Sequence, residues 1–388
     1  MELIKYAKFL FRKLAAKNPN SNSKSSVISI DVEHSIGNCL VSYLTKYIYS
    51  SDYEINHGHS SKWESKKIVN IFSSLGYNVD VINFDNETFI PQKKYDIIFD
   101  IHYNIARLSP YLTKDAVKIL HSTGSYTSYA ASRELDRVEK LIQRKKKPYS
   151  PKRICDTVYF KRSADIANYI SLFGTKHTIS TFPLRNQNKI TLLPVTYSNT
   201  IKKDLNSSLG NEYLWFYGGG AVHKGLDILL DIFSVDSRYT LNIVGNIEHE
   251  KDFMNIYYDE LSQKDNILYH GYLDPLSSNF KKIVQRCKFF IAPSCSESTS
   301  TAAVTCLIAG LYPIYSIDNG LELPVNTGYL LKDCSHKEII KGIKLVSSFS
   351  DQKIIDEVKE IQKFIFKKHS RENFTNKMYK FIEGAIGK

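Results

Sequence analysis

The sequence predicts an α/β protein built from two doubly wound parallel sheets. Short apolar runs alternate with stretches of helical spacing along most of the chain, the pattern of strand–helix–strand units in a parallel sheet. The 388 residues are long for one hydrophobic core and comfortable for two. A polar, turn-rich stretch, Asn199 to Asn211, separates two blocks of that alternation, which places the domains at 25–198 and 212–365.

The first segment, residues 1–24, carries six basic side chains against one acid. Leu3, Ile4, Ala7, Leu10, Phe11 and Leu14 share one helical face, with Lys5, Lys8, Arg12, Lys13 and Lys17 on the other. Such a helix lies in the plane of an anionic membrane, or packs on the body with its lysines solvated. The polar linker Pro19–Ser26 favours the membrane. Charges interrupt the apolar stretch and no cleavage site is evident, so it does not read as a secretory signal.

In the first domain, Val27–Ile30 and Cys39–Leu44 are strand candidates, with Gly37 ahead of the second. Tyr53–Ser61 reads as a loop, Trp63–Leu75 as a helix stopped by Gly76, and Asn78–Ile82 as a strand. Tyr95–Ile101 and Ala116–Leu120 read as buried strands whose ends carry His102 and His121. Ligands of a doubly wound sheet bind beyond its carboxyl ends, which makes both histidines site candidates, although a histidine there also caps a carbonyl. Residues 133–153 hold nine basic side chains, from Arg133 to Arg153, against three acids. That run could meet a diphosphate or lipid headgroups, or stay a solvated helix face. Asp156–Tyr159 and Lys189–Leu193 read as the last strands of this domain.

The second domain holds two strand–turn–helix modules. In the first, Gly218, Gly219 and Gly220 follow a strand and allow close backbone approach to a phosphate, with Lys224 as a point charge at the next helix. In the second, Phe289–Ala292 leads into the hydroxyl-rich turn Ser294–Thr299 and a helix stopped by Gly310. A helix N-terminus offers free N–H groups to an anion, so the carboxylate of Glu297 in that turn needs hydroxyls or a developing cation as its partner. A phosphate joined to a sugar supplies both.

These segments resemble the group 1 (family 4) glycosyltransferases of the bacterial surface-polysaccharide type. The resemblance rests on Pro293-Ser294, Glu297 and the helix running into Ala309-Gly310 and Pro313-Ile314. It also rests on Trp215–Phe233 with its Lys224-Gly225, on Asn242–Gly245, on His270–Leu273 and on Asn319-Gly320 and Gly328–Leu330. It covers residues 212–335 strongly and the first half weakly. It implies the GT-B fold, two Rossmann-like domains facing a central cleft, with residues 366–388 returning to the first domain. It implies a metal-independent, usually retaining enzyme without cofactor that moves a sugar from a nucleotide-sugar donor. Glu297 and His121 would be the catalytic pair. Gly218, Gly219, Gly220, Lys224, Gly245, Tyr272, Ser298, Thr299, Ser300 and Thr305 would hold the donor, and Gly37, His102, Ser122 and Arg133 would line the acceptor side. The chain departs from the family at Thr305, where a second glutamate is usual, and at Gly219, where an arginine is.

Composition narrows the partners. A net charge of +12 calls for an anionic partner. Aromatic residues are too sparse in the basic run to stack bases, which ranks nucleic acid last. The amphipathic segment and the basic run suggest a lipid-diphosphate-linked glycan acceptor and a cytoplasmic protein held peripherally at the inner face of the cell membrane. No run approaches the ~20 apolar residues of a spanning helix, and no Asp-x-Asp exists to clamp a metal–diphosphate. Six cysteines without a C-x-x-C pair read as small core residues of a reduced protein. Two other readings stay open: a nucleotide-sugar epimerase of the same fold, and an inactive transferase-like scaffold.

Overall fold

The computed structural model describes residues 27–56, 59–197, 200–205 and 210–387. The predicted basic helix of residues 1–24 lies outside them. Seven strands form the first sheet: β1 (Ile28–Ile30), β2 (Gly37–Tyr43), β3 (Tyr77–Asn83), β4 (Tyr95–Asp100), β5 (Leu112–Ser122), β6 (Tyr169–Phe173) and β7 (Ile190–Leu193). Their order is β1-β3-β2-β4-β5-β6-β7, parallel except for β1, which runs antiparallel to β3. Six parallel strands form the second: β8 (Glu212–Tyr217), β9 (Leu241–Gly245), β10 (Ile267–Tyr269), β11 (Cys287–Ala292), β12 (Tyr312–Ser316) and β13 (Tyr329–Leu331). Here the order is β10-β9-β8-β11-β12-β13. Chain order reverses between β2 and β4 in one sheet and between β8 and β11 in the other, the crevice positions where such sheets take ligands.

Burial follows the sequence pattern. Every residue of β8 after Glu212 and the whole of Phe289–Ala292 are buried, as strands covered by helices on both faces require. The helix after β11 begins where predicted. The Ser300 hydroxyl accepts from the Ala303 N–H, and Gly310 ends the helix at φ 96°.

Two elements of the first half differ from the reading above. Asp156–Tyr159 is not a strand. The Asp156 carboxylate accepts from the Tyr159 N–H at 2.8 Å and helps start a helix, Val158–Ile166, that buries Phe160, Ser163 and Ala164 at helical spacing. The strand is β6, which follows that helix almost directly. The stretch read as a loop also holds a short helix, Asp52–Asn56, and the longer α1 (Ser61–Ser74) begins at its end.

Two long helices close the chain, split at His369 and restarted by the Ser370 hydroxyl cap. The last, Arg371–Ala385, packs on the first sheet: Phe374 meets Trp63 of α1 edge-on at 5.7 Å and Phe173 of β6 at 6.2 Å. All six cysteines are free. Among the described residues no helix is long and apolar enough to cross a membrane.

Candidate active site

A cleft of about 790 Å³ lies between the carboxyl edges of the two sheets, within the range of small-ligand sites. Its second-sheet wall is the predicted donor side. From the turn after β8 come Gly218, Gly219, Gly220 and Lys224, and from the turn after β10 comes Tyr272. The turn and helix after β11 add Glu297, Ser298, Thr299, Ser300 and Thr305. Gly245 does not line it. It ends β9 against Tyr217, where a Cβ would stand 2.3 Å from the Tyr217 carbonyl oxygen.

Lys224 and Glu297 meet in this wall as an ion pair. Burial drives the lysine's pKa well below its ordinary value, and the charge of Arg153 pushes the same way. Beside them stands His223, a residue the sequence reading passed over although it precedes Lys224. Its Nε2 donates to the Ser296 carbonyl and lies 3.5 Å from Glu297, while Nδ1 faces the Glu134 carboxylate at 3.4 Å. Burial opposes its charge, but Cys295 and Glu134 raise its pKa above the ordinary value.

The glycine loop differs from expectation. Two of its backbone donors are taken: the Glu250 carboxylate accepts from Gly220 N at 2.6 Å and Ala221 N at 3.1 Å, and from the Tyr149 hydroxyl at 3.0 Å. An acid from the turn after β9 sits where a phosphate was predicted, so these two N–H groups are not free for one. Thr305 is committed too, its hydroxyl donating to the Thr301 carbonyl at 2.9 Å.

The first-sheet wall is lined by residues other than the catalytic His121 and the acceptor-side Gly37, His102 and Ser122 expected from the sequence. His121 is fully buried. Its Nδ1 bonds Ser171 at 2.8 Å, and its ring lies among Phe99, Phe173 and Tyr43. Burial lowers its pKa to about 3, a neutral ring in an aromatic core and not one facing a sugar. Ser122 is buried with its hydroxyl on the Gly124 carbonyl. Gly37 opens β2, at the opposite edge of the sheet from the cleft, packed against Asp96. His102 stacks edge-on with Tyr103 outside the cleft lining. The wall is instead made by residues such as Tyr43, His59, Glu64, Thr123, Lys152 and Arg153.

The basic run is partly exposed, and only its last residues, Lys152 and Arg153, reach the cleft. It forms the helix α2 (Thr127–Lys145) and the turn beyond, and most of its cations bind the second half of the chain. Arg133 reaches Asp318 at 3.5 Å, with the Tyr129 hydroxyl and His177 on the same carboxylate at 2.7 and 2.9 Å. Arg144 pairs with Asp227 at 2.6 Å and Asp231 at 3.0 Å, Lys145 with Glu260 at 2.9 Å, and Lys152 with Asp252 at 2.6 Å. Arg137 is buried, its Nη1 donating to the carbonyls of Pro293 at 2.6 Å and of Val222 and His223 at 3.4 Å. Those three carbonyls belong to the two turns that carry Lys224 and Glu297. Gly225 (φ 79°) makes room, since a Cβ there would stand 3.0 Å from the guanidinium.

Glu64, on α1, is buried where the chain leaves the first sheet. It accepts from the Thr196 N–H at 2.7 Å and hydroxyl at 2.8 Å. Burial raises its pKa from 4.5 to about 7, against these hydrogen bonds. Between those values the folded chain holds a proton that the unfolded chain has released. The contribution of Glu64 to stability therefore falls as pH rises from about 4.5 to 7 and is level above, on the order of 3 kcal/mol in all. Melting temperatures at pH 5 and 7.5 should differ less in Glu64→Gln, which is neutral throughout and can still accept from Thr196. An equal difference in both proteins would show that Glu64 is ionised across this range.

Residues 198–381 match the profile of the family described as "Glycosyl transferases group 1". No protein of curated function matches the chain. Among solved structures, a sucrose-phosphate synthase of Thermosynechococcus elongatus superposes with a TM-score of 0.62 at 12% identity, over 90% of this chain and 98% of its own. WaaG, a glycosyltransferase involved in lipopolysaccharide biosynthesis, gives 0.55 at 10% identity over 89% and 99%. Anabaena HepE, in complex with UDP-glucose, gives 0.53 at 12% identity over 75% and 79%. At these identities the likeness shows the shared fold, two parallel-sheet halves facing a cleft.

Proposed function

From the premise that this chain is a group 1 glycosyltransferase of the GT-B fold, we propose that it transfers a sugar from a nucleotide-diphosphate donor held against the second sheet. The observation that carries the reading is the Lys224–Glu297 pair at the reversal point between β8 and β11. A cation and a carboxylate side by side match a donor whose leaving diphosphate gains negative charge while its sugar ring gains positive charge. Lys224 takes the phosphate and Glu297 the sugar. His223, held between Glu134 and the Ser296 carbonyl, keeps the turn that bears Glu297 in register. The complex of HepE with UDP-glucose supports a nucleotide sugar as the donor class.

The reaction needs no divalent ion, since Lys224 and its neighbours supply the positive charge at the diphosphate, and it proceeds with retention. The acceptor is a lipid-diphosphate-linked glycan of surface-polysaccharide assembly, reached from the cytoplasmic face. The basic, amphipathic residues 1–24 and the likeness to WaaG support this.

A screen of nucleotide sugars by thermal shift tests the donor. One of them should stabilise the protein, by about 2.7 kcal/mol at a hundredfold excess over its Kd. Transfer from that donor to lipid-linked acceptor in anionic vesicles should survive EDTA. Absence of stabilisation by every nucleotide sugar would favour a scaffolding role, which the occupied glycine loop makes the competing reading. Loss of activity on chelation, restored by magnesium or manganese, would overturn metal independence.

A further inference from the structure

The cations around the glycine loop are unequally committed. Lys224 meets Glu297, Lys152 meets Asp252, and Arg137 is spent on three carbonyls. Arg153 is different. It leaves the turn beyond α2 and lies across the loop so closely that a Cβ on Gly220 would stand 2.9 Å from its Cγ and 3.0 Å from its Cδ. Its backbone N–H is held by Glu134 at 2.9 Å, which fixes where the side chain starts. Among the described residues no carboxylate pairs with its guanidinium, which is exposed to the cleft.

Its field falls on Lys224, where it disfavours the lysine's charge. Two cations therefore line one cleft beside a loop whose Gly220 and Ala221 N–H groups are already bound by Glu250. Like charges that act on one another are unfavourable unless an anion completes them. The nearby acids cannot do so, because Glu297 and Glu250 have partners of their own. A diphosphate carries the charge and the several acceptor oxygens that this gap lacks, and a planar guanidinium can meet two of them at once where an ammonium cannot.

We infer that Arg153 is the anchor of the donor diphosphate, supplied to the glycine loop from the first half of the chain at the place where Gly219 offers no side chain. The inference rests on the nucleotide-donor reading of the cleft and adds to it the group that holds the phosphates. It gives Gly220 a second requirement, since any side chain there would displace Arg153. It also makes donor affinity depend on the two halves staying together, because Lys224 and Arg153 approach the phosphates from opposite walls.

The test is calorimetric titration of wild type, Arg153→Gln and Arg153→Lys with UDP, GDP and ADP, with the matching nucleosides and with inorganic pyrophosphate. Arg153→Gln should bind the preferred nucleoside diphosphate and pyrophosphate about 10- to 100-fold more weakly, the loss expected for one charge-assisted contact. It should keep its affinity for the nucleoside and its melting temperature. Arg153→Lys should recover part of the loss. If wild type binds a diphosphate and Arg153→Gln binds it equally well, the assignment of Arg153 falls and the donor reading stands. If the nucleoside is lost in step with the diphosphate, Arg153 shapes the cleft and does not hold phosphate. If wild type binds neither the diphosphates nor pyrophosphate, both readings fall.

Discussion

Glu297→Gln should lower kcat by about 100-fold, the scale on which one preorganised electrostatic contact acts in a transition state, while affinity for the bare nucleoside diphosphate holds or tightens slightly. Glutamine keeps the size of the side chain and much of its hydrogen bonding but removes the charge that favours a ring gaining positive character. It also releases Lys224, which now shares its charge between Glu297 and any phosphate. Lys224→Ala should behave differently in kind. It removes a charged contact that is present in the ground state and stronger in the leaving group. The diphosphate should bind about 10- to 100-fold more weakly and turnover should slow as well. Calorimetry with the bare nucleotide beside steady-state kinetics separates the two. Normal turnover by Glu297→Gln would mean that the turn after β11 is only a structural lead-in to its helix.

Arg137→Met should cost about 3 kcal/mol of stability. The guanidinium is buried, and truncation removes its short charge-assisted bond and leaves the Pro293 carbonyl without that donor, a loss of roughly 1.5–3 kcal/mol. It also removes the weaker contacts to the Val222 and His223 carbonyls, which keep the Gly225 and Cys295 N–H groups. Methionine returns some apolar packing, which keeps the loss from being larger. Because the three carbonyls lie in the turns bearing Lys224 and Glu297, the variant should also loosen the cleft and weaken donor binding. Scanning calorimetry should show a lower melting temperature and a transition that separates into two, one for each half. Arg137→Lys, which can reach fewer carbonyls, should recover only part of the loss. An unchanged single transition in Arg137→Met would show that the remaining ties, Arg144 to Asp227 and Arg133, Tyr129 and His177 to Asp318, hold the halves without it.

The sequence by itself determined the two strand–turn–helix modules of the second half and the cleft-lining residues they present. Their signals are local: a covered strand is apolar throughout, a hydroxyl caps the next helix, and a glycine ends it. Each is written within one short window, and the structure places both modules at neighbouring parallel strands. The parallel alternation of the first half was legible for the same reason. Its one misread strand was not, because β6 is five residues long and leaves a helix with almost no turn to announce it.

Only the tertiary structure decided what the cleft residues meet. Glu250 enters the glycine loop from the following turn, Arg153 crosses from the other half, and the charges of α2 are spent on the second half of the chain. His121 has a signal that fits a catalytic residue at a strand end. Its fate was set by Phe99 and Phe173, brought against it from neighbouring strands. The physical reason is the same in each case. Hydrophobic period and turn chemistry fix which way a side chain points from its own element. A carboxylate's or imidazole's partner, and whether water reaches it, are set by segments far away in the chain, and those contacts exist only once the two sheets have closed on one another.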